Sequence, residues 1–141
     1  MTREDIPLCA DEMIEAFKAK PWCENWTKEQ SIQRFEEIFS SEYALGFVAV
    51  DERGKVYGTC IGHTATYLDN NQYIIDDYSV LLQVQGKGIG SKLFSFMKEE
   101  CKKLNISKIL LMTNTGYPSV KFYTKNGMKE SVDFEIMEMN L

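Results

Sequence analysis

The strongest chemical signal in this chain is Gln85-Gly86-Lys87-Gly88-Ile89-Gly90, set between a run of strand character and a run of helical spacing. Glycines let the backbone come close to a ligand and adopt angles that a Cβ forbids. Where such a loop opens a helix, amide N–H groups without intrahelical acceptors can face an anion. A phosphate or pyrophosphate suits them; a plain glycine turn is the alternative reading of the same spacing. Two other phosphate-binding patterns fail on residue identity. The P-loop needs a second glycine five positions after its first, where Ser91 stands, and the dinucleotide fingerprint G-x-G-x-x-G needs glycine at position 91 or 93, occupied by Ser91 and Leu93. The loop also follows antiparallel strands, where a doubly wound nucleotide fold would not put it.

Other candidate chemistry is sparse. Asp76 and Asp77 stand side by side in the strand-like run before the loop. Strand alternation sends them to opposite faces, so one of them can look into a given cleft; the alternative is a pair of edge or solvent-facing charges. Cys9, Cys23, Cys60 and Cys101 include no C-x-x-C pair, and His63 is the sole histidine. No metal site is expected from that set, and the thiols read as reduced, small hydrophobes. His63 reads as a semi-buried imidazole, since spacing puts it beside no cysteine.

These groups must be positioned by elements that the periodicity outlines. Leu8, Met13, Ile14 and Phe17 share one face of a helix over Ile6 to Lys18, with Thr2 and Asp5 at its start. Thr27-Lys28-Glu29-Gln30 is a capping box ahead of a second helix bearing Ile32, Phe35, Ile38 and Phe39. The connector Pro21-Trp22-Cys23-Glu24-Asn25-Trp26 either pins the two helices to a sheet or walls a pocket. Leu45–Val50 and Val56–Tyr67 read as an antiparallel hairpin, followed by a strand from Gln72 to about Leu82. Ile89, Leu93, Phe96, Met97, Cys101 and Leu104 give a helix, and uninterrupted Ile109–Met112 a strand buried on both faces and parallel to the one before the helix. A short helix from Ser119 to Lys125 ends at Asn126-Gly127, and Phe134, Ile136, Met137, Met139 and Leu141 supply a last strand. The order is ααβββαβαβ, an α/β (α+β) fold in one domain spanning residues 1–141.

Composition bounds the rest. The 141 residues carry 16 Lys+Arg against 21 Asp+Glu, a net charge of -5, which disfavours nucleic acid and favours a cationic partner. No stretch has the length of a membrane span or the pattern of a secretory signal, so a cytoplasmic location is expected, with no membrane partner.

The combination of motifs resembles the GNAT family of N-acetyltransferases. Their acetyl-CoA loop is [QR]-x-x-G-x-[GA], met by Gln85 to Gly90, with Val80 matching the residue that closes the preceding strand. Phe122-Tyr123-Thr124-Lys125-Asn126-Gly127-Met128 is similar to the family's F-Y-x-k-x-G-F, with Met128 for the usual Phe. The Pro21 to Thr27 connector resembles that of small, aminoglycoside-acetyltransferase-like members. The resemblance implies a mixed, mostly antiparallel sheet flanked by helices, and the opening strand usual in the family is missing here. It implies acetyl-CoA as co-substrate, held by Ser79, Val80, Gln85, Gly86, Lys87, Gly88, Ile89, Gly90 and Ser91. Lys87 and Lys92 flank the loop as local counter-charges or as ordinary surface lysines. The asparagine that many members carry seven residues before the matched tyrosine is Gly116 here.

The implied chemistry is acetyl transfer to a primary amine. A lysine-like amine has a pKa of about 10.4, so at pH 7 about one molecule in a few thousand is free base and a carboxylate that removes the proton is valuable. The family's carboxylate three residues before the matched valine selects Asp77 as that base. Tyr123 matches the acid that meets the leaving thiolate; as a residue it could equally be a core aromatic. Trp22, Glu24 and Trp26 are the candidate acceptor-binding residues, and the expected acceptor is a small cationic amine of aminoglycoside or polyamine type. Transfer would be direct, within a ternary complex, because no acyl-accepting nucleophile is visible. A homodimer is the assembly the resemblance suggests. The reading from another class is a non-catalytic acyl-CoA-binding or regulatory module, which would keep the loop and dispense with Asp77 and Tyr123.

Overall fold

A computed structural model describes residues 1–141. A 3-10 turn at Arg3–Asp5 leads into helix α1 (Ile6–Lys18), followed by α2 (Lys28–Phe39), strands β1 (Ala44–Val50), β2 (Val56–Tyr67) and β3 (Asn70–Val80), a 3-10 turn at Leu82–Val84, then α3 (Ile89–Lys103), β4 (Lys108–Leu111) and α4 (Pro118–Lys125). The α2 capping box forms as its residue types dictate: Thr27 Oγ1 accepts from the Gln30 amide, and Gln30 Oε1 accepts from the Thr27 amide.

The four strands form one sheet in the order β1-β2-β3-β4. The first three are antiparallel, and β4 runs parallel to β3, as the crossover through α3 requires. The helices cover both faces and give two cores. On one side α1 and α2 bury Ile6, Cys9, Met13 and Phe35 against Val56 and Ile61. On the other, α3 buries Leu93, Phe94, Met97 and Cys101 against Phe47, Cys60, Tyr73 and Ile75. Three of the four cysteines are therefore core residues, and burial pushes the Cys9 thiol up to about 11 and the Cys60 thiol to about 12.

Within residues 1–141 only the 3-10 turn precedes α1, and the Met1 amino group donates to the Gly46 carbonyl on β1 at 3.2 Å. Two expectations fail. The strand expected at residues 134–141 does not form; residues 129–141 are exposed, without regular structure and without a backbone ladder to β4. Alternating apolar residues are present there, but a strand needs a paired neighbour, and this segment has none. For the same reason β4 is not enclosed: it is the sheet's edge, half-buried, with Met112 beyond it exposed. No helix is long and apolar enough to cross a membrane.

Candidate active site

The sheet opens beside the glycine loop. β4 pairs with β3 only from Gln72 to Ile75, whereas β3 continues to Val80 hydrogen-bonded to β2 alone. The β4-facing edge of Asp76–Val80 is thus the wall of a wedge. A β-bulge sharpens the divergence, because Ile61 of β2 faces Asp77 while its neighbour Gly62 faces Ile75, leaving Asp76 as the extra residue. At Gly62 a Cβ would sit 1.9 Å from the Ile74 carbonyl oxygen, so this crossing of strands admits glycine only.

The loop sits at the end of the wedge. Gln85 donates from Nε2 to the Val80 carbonyl at 3.0 Å and ties the loop back to the strand. Gly86 and Gly88 take φ of +73° and +85°, and the space where a Cβ would stand is open at both. The amides of Gly86, Gly88, Ile89, Gly90 and Ser91 donate to no acceptor within the protein. Successive free N–H groups around left-handed glycines make an anion-binding concavity, and Lys87 and Lys92 stand exposed beside it. The loop therefore fits a pyrophosphate. Beneath it, the Tyr78 hydroxyl donates to the Gly90 carbonyl at 2.7 Å and Phe122, the first residue of the matched α4 segment, supports the Gly90 turn; the sequence had not singled out Tyr78.

The bulge also changes the two carboxylates. Asp77 accepts from Arg34 Nε of α2 at 2.8 Å, and Asp76 pairs with His63 Nδ1 at 2.7 Å. His63 lies two residues from Ile61, on the face of β2 that α1 and α2 cover, so Asp76 and Asp77 look out on the same side of the sheet. The alternation argument fails because a bulge spends one residue without reversing the face. Burial raises the Asp77 pKa above the ordinary carboxylate value; Arg34 opposes that, and the Asp76 and Glu24 charges add to it. Arg34 engages Oδ2, and Asp77 Oδ1 has no protein partner.

Tyr123 lies on the other face, in an aromatic group with Tyr78, Phe94 and Phe122 whose ring centroids are 5.3–6.1 Å from its own. Its hydroxyl makes no protein hydrogen bond. Burial pushes its pKa up, and Cys60 and the charge of Asp77, felt across the wedge, push it further. In the α1–α2 connector, Trp22 packs edge-on against Tyr117 at the start of α4, 5.0 Å between centroids, and so links the connector to α4. Trp26 instead packs on the α1–α2 core, and its Nε1 donates to Glu24. Of the two tryptophans, Trp26 packs among the helices, while Trp22 stands between Phe17 of α1, 5.4 Å between centroids, and Tyr117 at the start of α4.

Ser79 and Val80 form the end of the wedge wall. The Ser79 side chain is turned away from it, Oγ donating at 2.6 Å to Glu12 Oε2 on α1, and the Ser79 backbone faces Thr59 of β2, so the N–H groups on the open edge are those of Val80 and Tyr78. Glu12 is only 3% exposed, and its Oε1 has no partner, nor does Oγ1 of the adjacent Thr59. Burial pushes the Glu12 pKa up to about 7. Its apolar helix face gave no sequence sign of this.

A family model described as the acetyltransferase (GNAT) family matches residues 11–128. Among solved structures, glucosamine-6-phosphate N-acetyltransferase from Arabidopsis thaliana is 26% identical with a TM-score of 0.61, over 80% of this chain and 78% of its own. An acetyltransferase from Trypanosoma brucei is 15% identical with a TM-score of 0.69, over 100% and 96%. A transcriptional regulator from Bacillus halodurans is 21% identical with a TM-score of 0.76, over 100% and 96%. The last two likenesses concern the fold alone. No curated protein sequence matches the chain.

Proposed function

The chain belongs to the GNAT family of acetyltransferases, and from that premise we propose that it acetylates a primary amine by direct transfer within a ternary complex. The co-substrate that the family implies, acetyl-CoA, supplies an activated thioester. The free amides of Gly86, Gly88, Ile89, Gly90 and Ser91 hold its pyrophosphate, with the Lys87 side chain adding local positive charge. The unpaired β3 edge beside Ser79 offers the backbone N–H of Val80, with that of Tyr78 two residues before it, to the pantetheine and the thioester oxygen, where donors fixed in advance stabilise developing negative charge.

Asp77 takes the amine's proton through its free Oδ1, directly or through one water, while Arg34 holds the carboxylate by its other oxygen. A pKa raised by burial makes Asp77 a stronger base than an exposed aspartate. Tyr123 meets the departing thiolate. An ordinary tyrosine at about 10 against a thiol at about 8.5 already makes full proton transfer uphill by roughly 2 kcal/mol. Burial raises that cost, so Tyr123 keeps its proton and stabilises the thiolate by hydrogen bonding.

The acceptor we favour is a small cationic amine, aminoglycoside-like or polyamine-like. Glu24, Asp76 and Asp77 gather negative charge on one side of the wedge, and Trp22 with Tyr117 supplies an aromatic wall for a cation. The Arabidopsis thaliana relative is named for glucosamine-6-phosphate; a phosphate would meet repulsion from these carboxylates. The observation that carries the reading is the joint occurrence of the amide cradle, the unpaired β3 edge and the Asp77 carboxylate around one opening. The test is CoA release from acetyl-CoA over a panel of aminoglycosides, polyamines, amino sugar phosphates and lysine peptides. Turnover with the cationic small amines is expected; tight CoA binding with no turnover on any amine would leave only a binding module.

A further inference from the structure

Beyond Ile75, β3 has lost β4 and keeps a strand neighbour on one side only. Side chains make up the difference, and they tie this stretch to both helix layers. Asp77 is held by Arg34 of α2 and Ser79 by Glu12 of α1, while the Tyr78 hydroxyl holds the Gly90 carbonyl and Gln85 holds the Val80 carbonyl. Ser79 stands between Tyr78 and Val80, whose amides face the open edge, so its anchor sets where both donors sit. That anchor is the only fully buried carboxyl in the chain. Glu12 Oε2 accepts from Ser79 at 2.6 Å, whereas its Oε1 and the Oγ1 of Thr59, which pairs with Ser79 across β2 and β3, lack partners. A single proton on Oε1 satisfies both atoms, because a carboxylic acid donates where a carboxylate only accepts. Asp11 and Glu15 of α1 and Arg53 and Lys55 of the β1–β2 turn line a cleft of about 380 Å³ with Glu12, and Lys28 of α2 pairs with Asp11. None of these three cations pairs with Glu12. Cys9 of α1 and Tyr78 of β3 also feel its charge and are kept neutral by burial.

We propose that Glu12 is a positioning residue for acetyl transfer and works as the neutral acid: it clamps Ser79 through Oε2 and Thr59 through Oε1, so that the Tyr78 and Val80 amides stand ready for the thioester oxygen. The inference rests on the acetyl transfer proposed above and adds to it a residue that touches neither substrate. Ionised Glu12 keeps Ser79 but sets an uncompensated negative charge behind the two amides, where it opposes the negative charge that grows on the thioester oxygen. Burial brings the changeover to near neutral pH, since it pushes the Glu12 pKa up to about 7. The clamp is therefore complete below that pH and is lost above it, against the gain that deprotonation of the amine brings.

The test compares the natural chain with Glu12→Gln, which keeps the shape and both hydrogen bonds and carries no charge. Saturating kcat is measured for both from pH 5.5 to 8.5; their ratio cancels the titration of Asp77 and of the amine. The ratio of variant to natural chain should be close to unity at pH 5.5 and climb to roughly tenfold at pH 8.5, the order that one buried charge produces at the reacting atoms. The infrared carbonyl band of bound, carbon-13-labelled acetyl-CoA, recorded without amine, reads the same donors without turnover. In the natural chain it should move to higher frequency as pH rises through about 7, and in Glu12→Gln it should stay in place. A role confined to stability moves neither readout, so a flat kcat ratio, or a band that behaves alike in both proteins, would overturn the proposal. A band that moves only in the natural chain, with no amine acetylated, would support the clamp and remove the enzyme reading alone. Failure of acetyl-CoA to bind would overturn both.

Discussion

Glu12→Gln isolates one buried carboxyl and makes the fold's pH response quantitative. Glu12 is 3% exposed, one oxygen accepts from Ser79 at 2.6 Å, and the other, like the Thr59 hydroxyl, lacks a partner. Its pKa rises from an ordinary 4.5 to about 7 in the fold. A raised pKa means that the folded state holds this proton more tightly than the unfolded chain. The contribution to stability is therefore complete below pH 4.5 and is lost as pH rises through about 7. At about 1.4 kcal/mol per unit, the shift is worth roughly 3 kcal/mol. Glutamine keeps the shape, accepts from Ser79 and can donate to Thr59, yet does not titrate. Glu12→Gln should match the natural chain near pH 4.5 and exceed it by roughly 3 kcal/mol at pH 8.5, a difference of about 10 °C in melting temperature for a domain of this size. Urea unfolding of both proteins at a series of pH values measures this. Parallel stability curves from pH 4.5 to 8.5 would refute the buried, neutral Glu12.

The remaining predictions concern the wedge and its loop. Asp77→Asn should lower kcat/KM by roughly 10²- to 10⁴-fold at pH 7. The deficit should shrink as pH approaches the amine's own pKa, because a base is needed only while the acceptor is protonated; a deficit constant with pH would remove Asp77 from proton transfer. Tyr123→Phe removes one hydrogen bond to a charged group and should cost roughly 10- to 100-fold in kcat with little change in CoA affinity, read from initial rates and calorimetric titration. Gly88→Asp puts its Cβ in open space but in a left-handed backbone conformation that strains the loop locally; the loop is exposed, so the overall fold should persist. A carboxylate among the loop amides should nevertheless weaken CoA binding by roughly two orders of magnitude, and undiminished binding by calorimetry would contradict the pyrophosphate assignment.

The sequence made the glycine loop legible because backbone conformation there depends on residue type: Gly86 and Gly88 occupy the left-handed region that other residues avoid. Helix and strand positions followed from periodicity for the same local reason, within two or three residues at their ends. The facing of Asp76 and Asp77 was not legible, because it depends on a bulge fixed by the approach of Gly62 to Ile74 in another strand. Arg34, Tyr117 and Glu12 were missed because each acquires its role from a partner distant in sequence: Arg34 of α2 from Asp77 on β3, Tyr117 from Trp22, and Glu12 of α1 from Ser79 on β3. Arg34 and Glu12 stand on helices whose other positions explain the helix fully, so local pattern held no trace of them. The final strand failed for the converse reason. Its alternation was correctly read, but pairing is a property of two strands, and Phe134 to Leu141 face solvent in the single chain.

The central claim is a direct, amine-dependent acetyl transfer, and rapid mixing of the protein with acetyl-CoA, with and without the best cationic amine, tests it. The account predicts CoA release only when the amine is present, with acetyl recovered on the amine and the chain mass unchanged throughout. A burst of CoA without amine, accompanied by acetylated protein, would contradict it.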